Sequence, residues 1–155
     1  MDLKKTALIA EIFGGIGIIV SILYLGYEVS RNAESTEIAN HLALIERNGE
    51  LDLLLMSDPS IIDLIDRGAV EIGSLSGIEA RRFETYAQHA FNLWETSFLL
   101  SERDALPNDT WELWNKGWCD WLKAPGFRQL WNADLNRVYT EGFQFNVQSC
   151  FGSKG

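Results

Sequence analysis

The sequence predicts an all-α chain: an N-terminal transmembrane helix that continues into a juxtamembrane helix, followed by a compact helical bundle. Three observations carry this prediction. Ile12–Tyr27 is sixteen residues without a charge, and Thr6–Tyr27 is twenty-two with only one, Glu11. Beyond that run, apolar residues recur at three- and four-residue steps, with Gly and Pro falling between the periodic segments. The one alternation of strand type is Phe143-Gln144-Phe145-Asn146-Val147, which has no partner strand.

These signals divide the chain into an anchor (1–29), a juxtamembrane helix (30–56), a helical domain (57–150) and a flexible tail (151–155). At 1.5 Å per residue, the twenty-two residues from Thr6 reach roughly 33 Å, enough for a hydrocarbon core of about 30 Å. Tyr24 and Tyr27 stand where an interfacial belt would fall, with Glu28 and Arg31 just beyond. The competing reading is a buried core helix, which Glu11 and the glycines favour. Lys4 and Lys5 before the apolar run outline a signal peptide, but the run is long and no small-x-small cleavage site follows it, so an uncleaved anchor is expected. Lys4 and Lys5 against Arg31 and Arg47 place the N-terminus in the cytoplasm and the domain outside by a narrow margin.

No breaker follows the span until Asn48-Gly49, so the helix is expected to run on through Ser30–Arg47. Leu51–Met56 is a second apolar patch. Ser57-Asp58-Pro59 then announces a new helix, with a polar cap and proline at the first helical position. Ile61–Arg67 follows, ended by Gly68 as a left-handed cap. Ile72–Gly77 reads as a loop, and Ser76-Gly77-Ile78-Glu79 as a capping box opening a helix that runs to about Arg103 with Phe83, Ala87, Ala90 and Trp94 on its buried face. Leu106-Pro107 closes it. Asn108 or Asp109 should cap a tryptophan helix, Thr110–Lys123, which stops before Ala124-Pro125-Gly126. Phe127–Val147 makes one or two further helices.

With 22 acidic and 13 basic residues, a net charge of −9 and a pI near 4.6, the chain lacks a phosphate-tracking surface, which excludes nucleic acid as the main partner. Its partners should be the lipid bilayer, further copies of itself and a protein ligand of the domain. Cys119 and Cys150 are too few for a disulfide framework and wrongly spaced for zinc; one bridge is allowed, and two free thiols is the simpler expectation.

Glu11-Ile12, Gly15-Ile16-Gly17, Tyr24-Leu25-Gly26-Tyr27 and the late Pro125-Gly126 with Trp131 together resemble a family of small bacterial single-pass membrane proteins with an N-terminal span and a tryptophan-rich helical domain. The likeness covers most of the chain. It implies the architecture above and a bacterial inner-membrane setting, and it implies no activity and no site. Members carry more arginine directly after the span, which implies a cytoplasmic domain; here only Arg31 stands there.

Several patterns are candidates for function. Ala10, Gly14, Gly17, Ser21, Tyr24, Glu28, Arg31, Ser35, Ile38, Leu42 and Ile45 share one helix face at alternating four- and three-residue steps. Small within the apolar run and apolar beyond it, this face suggests self-association through both segments. The alternatives are that Ile38, Leu42 and Ile45 pack on the chain's own domain, or that the span meets a foreign partner. Glu11 reads first as an interfacial residue near Lys4, and second as a ring of carboxylates at the mouth of a small homo-oligomeric pore or proton site. Trp111, Trp114, Trp118 and Trp121 fall within about 80° on one helix. Core packing is the first reading of that face, a partner or membrane-surface face the second, and an aromatic ligand cage the third.

Signals for catalysis are thin. His41 and His89 are the only histidines, and Glu37 with His41 reads as an ordinary flank of the helix rather than a metal pair. No phosphate loop or activated cysteine is present in the pattern, so neither an enzyme nor a cofactor is expected. Glu79, Glu84 and Glu95 with Arg81 and Arg82 read as a solvated face. The function expected is a membrane-anchored, self-associating scaffold, adaptor or sensor module.

Overall fold

The computed structural model describes residues 3–133 and 135–152. All regular structure among them is helical: α1 (Leu3–Ser57), α2 (Pro59–Val70), α3 (Gly77–Ser101), α4 (Asn108–Trp121), α5 (Pro125–Ala133) and α6 (Glu141–Gly152), with 3₁₀ turns at Ile72–Ser74 and Leu135–Val138. Residues 153–155 of the expected tail, with Met1 and Asp2, lie outside the described residues. The chain divides into two compact units, residues 1–38 and 39–155, so the second unit takes in the last third of α1 instead of starting at 57.

Helix α1 passes through Asn48-Gly49 without a break. One glycine costs a helix interior only about 1 kcal/mol. Against that cost, Asn48 donates to Asp52 one turn on, and Leu44, four residues earlier, is buried in the second unit. The stop comes at Ser57. There Asp58 accepts the Ser60 N–H at 2.9 Å and Pro59 fills the first turn, as the sequence indicates.

Gly68 is not a left-handed cap. It lies inside α2, which continues to Val70, and no described glycine has a positive φ. Its small size serves a close approach instead. A Cβ on Gly68 would stand 2.6 Å from the Phe83 ring, and a Cβ on Gly126 would run into the Gly68 carbonyl oxygen. These two glycines let α2 and α5 cross backbone to backbone over α3.

The capping box forms. Glu79 accepts the Ser76 N–H at 2.8 Å, and the Ser76 hydroxyl accepts the Glu79 N–H at 3.4 Å. Helix α3 ends at Ser101 in a Schellman turn, in which Asp104 N–H bonds to Ser101 O and Ala105 N–H to Leu100 O. Asp104 takes the left-handed conformation, φ 52°. At α4 the cap expected from Asn108 or Asp109 is not made; Pro107 occupies that position, and the Asp109 carboxylate accepts the neighbouring Thr110 N–H. The Phe143–Val147 alternation is helical. Phe143 and Val147, four apart, are fully buried in α6 while Phe145 points to solvent.

The domain is built around α3. Phe83, Ala87, Phe91 and Trp94 from this helix meet Leu64, Leu122, Phe127, Trp131, Tyr139, Phe143 and Val147 in one core. Each fully buried large side chain contributes roughly 1.5–3 kcal/mol. Aromatic rings dominate, with Phe91 within 5.0 Å of Trp131 and Trp94 edge-on to Phe143 at 5.3 Å. A smaller cluster, Leu44, Leu93 and Leu106, seats the end of α1 against α3, and Asn40 donates to Ala105 O beside it.

The cysteines are not free. Cys119 on α4 and Cys150 on α6 are joined in a disulfide, with Cα atoms 5.3 Å apart. One turn before each stands an asparagine, and these two also meet: Asn115 Oδ1 accepts from Asn146 Nδ2 and from the Trp94 indole N–H, both at 2.9 Å. This oxygen joins α3, α4 and α6 at the core.

Candidate functional site

Two surfaces compete for the role of functional site: the α1 face of residues 1–38 and a cleft in the helical domain. On α1, every apolar residue from Ile12 to Val29 is at least half exposed, among them Phe13, Ile16, Ile19, Leu23 and Val29. Their azimuths cover the whole helix, and its most apolar eighteen-residue window, of mean hydropathy 1.8, has no buried residue. It is the one helix among the described residues long and apolar enough to cross a membrane.

The small-residue stripe lies open. A Cβ added at Gly14 or Gly17 would meet nothing within 4 Å, and Ser21 turns its hydroxyl back onto Gly17 O at 2.8 Å. Glu11, Tyr24, Glu28 and Arg31 are exposed; the Ala10 side chain lies outside the described ones. Within residues 39–155, Leu42 is 60 % and Ile45 49 % exposed, so neither packs on the chain's own domain. The residues that do so are one position round the helix: His41, edge-on to Trp114 at 6.0 Å, and Leu44, with the Asn40 amide.

The tryptophans of α4 turn inward. Trp118 stacks on Trp94, Trp121 on Phe127 with centroids 3.8 Å apart, and Trp111 packs on Phe98. All four remain half-buried, and the exposed apolar residue of this helix is Leu113. The indoles serve the core and its junction with α1.

Of the acidic residues of α3, Glu84 is exposed as on a solvated face, while Glu79 and Glu95 are more engaged. Beyond its capping role, Glu79 accepts from Arg67 Nη2 at 2.7 Å. The Arg67 guanidinium and the Ser76 N–H hold its carboxyl at about 2. Glu95 accepts both the N–H and the hydroxyl of Thr140, fixing the start of α6. Close by, Tyr139 donates to Asn92 Oδ1 at 3.0 Å, and burial, with the Glu95 charge, pushes its phenol well above the usual range.

The cleft was not legible in the sequence. It measures about 1040 Å³ and lies between the end of α1 (Leu51, Leu54), α2 (Ile61, Leu64, Ile65) and the first half of α3 (Ile78 to His89). Its walls are aliphatic; its polar groups are Ser76, Arg81, Arg82, Thr85, Tyr86 and His89, and no carboxylate is among its lining residues. Neither guanidinium closes a salt bridge among the described residues. Burial, then the charge of Asp52, raises the Tyr86 phenol. A second cleft of about 900 Å³ adjoins it along α1 and α3, sharing Leu51, Leu54 and His89, but it carries Glu46 and Glu50 beside Arg47. Among the described residues no three His, Cys, Asp or Glu side chains converge as a metal site would need.

No protein-family model matches the chain, and no curated protein and no solved structure matches it either.

Proposed function

We propose that the chain is a membrane-anchored helical scaffold: the N-terminal part of α1 crosses a lipid bilayer and self-associates through its small-residue face, and the helical domain presents a surface to a protein partner. The observation that carries this reading is the all-round exposure of apolar side chains from Ile12 to Val29. A helix apolar on every side needs either a protein core or lipid around it, and these side chains have no core. Tyr24 and Tyr27, then Glu28 and Arg31, supply the change of polarity expected at an interface.

Self-association is supported by the open stripe of Gly14, Gly17 and Ser21, where no contact among the described residues requires smallness and a second backbone could approach closely. The Cys119–Cys150 bridge supports an extracytoplasmic domain, since disulfides persist in oxidising compartments and are reduced in the cytosol.

Membrane fractionation tests the reading. The full chain should resist carbonate extraction, a chain beginning at Asn32 should be soluble, and external protease should digest the domain in right-side-out vesicles. Release of the full chain by carbonate would overturn the anchor, and a protected domain would overturn the sidedness.

A further inference from the structure

We infer that the cleft between α1, α2 and α3 binds a long-chain fatty acid, its acyl chain against the aliphatic walls and its carboxylate at Arg81 and Arg82. The inference rests on the domain alone and does not require the N-terminal span.

Charge complementarity chooses the occupant. The chain carries 22 acidic residues against 13 basic ones, so a surface region picked at random is acidic. The lining of this cleft holds two arginines and a histidine with no carboxylate, whereas the adjoining cleft holds Glu46 and Glu50. Asp58 lies close enough to act on Arg82, and Asp52 on Tyr86, but both stand outside the lining. A guanidinium without a salt bridge offers a planar fork that matches a carboxylate. The Tyr86 hydroxyl, among the lining groups of the cleft, adds a further donor.

The walls choose the rest of the ligand. Leu51, Leu54, Ile61, Leu64, Ile65 and Ile78 are aliphatic side chains with no ordered array of polar groups between them, which suits a featureless alkyl chain better than a heteroaromatic cofactor. The volume, about 1040 Å³, is at the upper end of the range of small-molecule pockets and exceeds what a short acid would fill. Ile78, 78 % exposed, and Leu54, 48 % exposed, are the apolar groups such a chain would cover.

The test uses the full chain in phosphatidylcholine nanodiscs, labelled with a diazirine-bearing hexadecanoate and mapped by peptide mass spectrometry. Labelling is expected on the segments holding Leu51–Leu54 and Ile78–Tyr86, competed by unlabelled hexadecanoate and at least tenfold less by hexadecanol. Arg81→Gln with Arg82→Gln should lower labelling of those segments about tenfold while the tryptophan emission spectrum stays unchanged, since both arginines are exposed. Ile78→Asp, also at an exposed position, should do the same. Labelling confined to residues 12–29 would mean that the probe reports lipid contact alone and would overturn the inference. Equal competition by the alcohol, or full labelling of the double arginine variant, would also overturn it.

Discussion

The glycines of residues 1–38 and the pair Gly68 and Gly126 of the domain look alike in the sequence and differ in what surrounds them. Gly14, Gly15, Gly17 and Gly26 have open space where a side chain would be, whereas Gly68 and Gly126 have a phenyl ring and a backbone carbonyl there. At Gly68 and Gly126 smallness is explained from inside, because two helices touch, whereas Gly49, Gly77 and Gly117 of the same unit are open. In the N-terminal unit no contact among the described residues explains it, which directs attention to lipid and to a second copy. The same contrast holds for the apolar side chains, closed around α3 in one unit and open on all sides of α1 in the other.

The sharpest way to break the comparison is to fill both kinds of site. Gly126→Ala forces a methyl into the Gly68 carbonyl, and α2 and α5 must separate; a loss of about 3 kcal/mol or more in urea unfolding is expected. A wild-type midpoint would mean that the helices do not cross at this distance. Gly17→Leu should leave the unfolding of the domain within about 0.5 kcal/mol of the original. In nanodiscs, however, it should lower the particle mass from an oligomer to one chain; an unchanged oligomer mass would remove the stripe from the interface.

The smallest effect belongs to Glu79, whose contacts are local. Its carboxyl titrates at about 2 in the folded chain against an ordinary 4.5, because Arg67 and the Ser76 N–H favour the charged form. A lowered carboxylate pKa adds stability above the unfolded value and loses it as pH falls through the folded one. Stability should therefore drop between about pH 4.5 and pH 2, modestly, since the group is only half-buried and screened by solvent, and Glu79→Gln should flatten that part of the curve. An unaltered slope would show that the pair with Arg67 does not persist in solution.

How much was legible follows from the range of the interactions. Asp58-Pro59 and Ser76/Glu79 could be read from the sequence because their hydrogen bonds close within three residues. The inward face of Phe83, Ala87, Ala90 and Trp94 could be read from helical spacing. Gly49 misled because a local propensity of about 1 kcal/mol was opposed by contacts from far along the chain. Gly68 misled because its neighbours, Phe83 and Gly126, are fifteen and fifty-eight residues away. The disulfide needed the α4 and α6 pairing first, although the repeated Asn-x-x-x-Cys spacing at 115–119 and 146–150 was a signal of it. The cleft had no single-segment signature, since its walls come from three helices and its meaning lies in the carboxylates it lacks.

The bridge between Cys119 and Cys150 also changes what a cut in the backbone does. Residues 119–150 form a covalent ring that holds all of α5, the Leu135–Val138 turn and most of α6. A protease cleaving after Lys123, Arg128 or Arg137 would open the ring without releasing a fragment. The nicked protein would keep Trp131 and Phe143 tethered beside Phe91 and Trp94, and the two pieces would separate only after reduction.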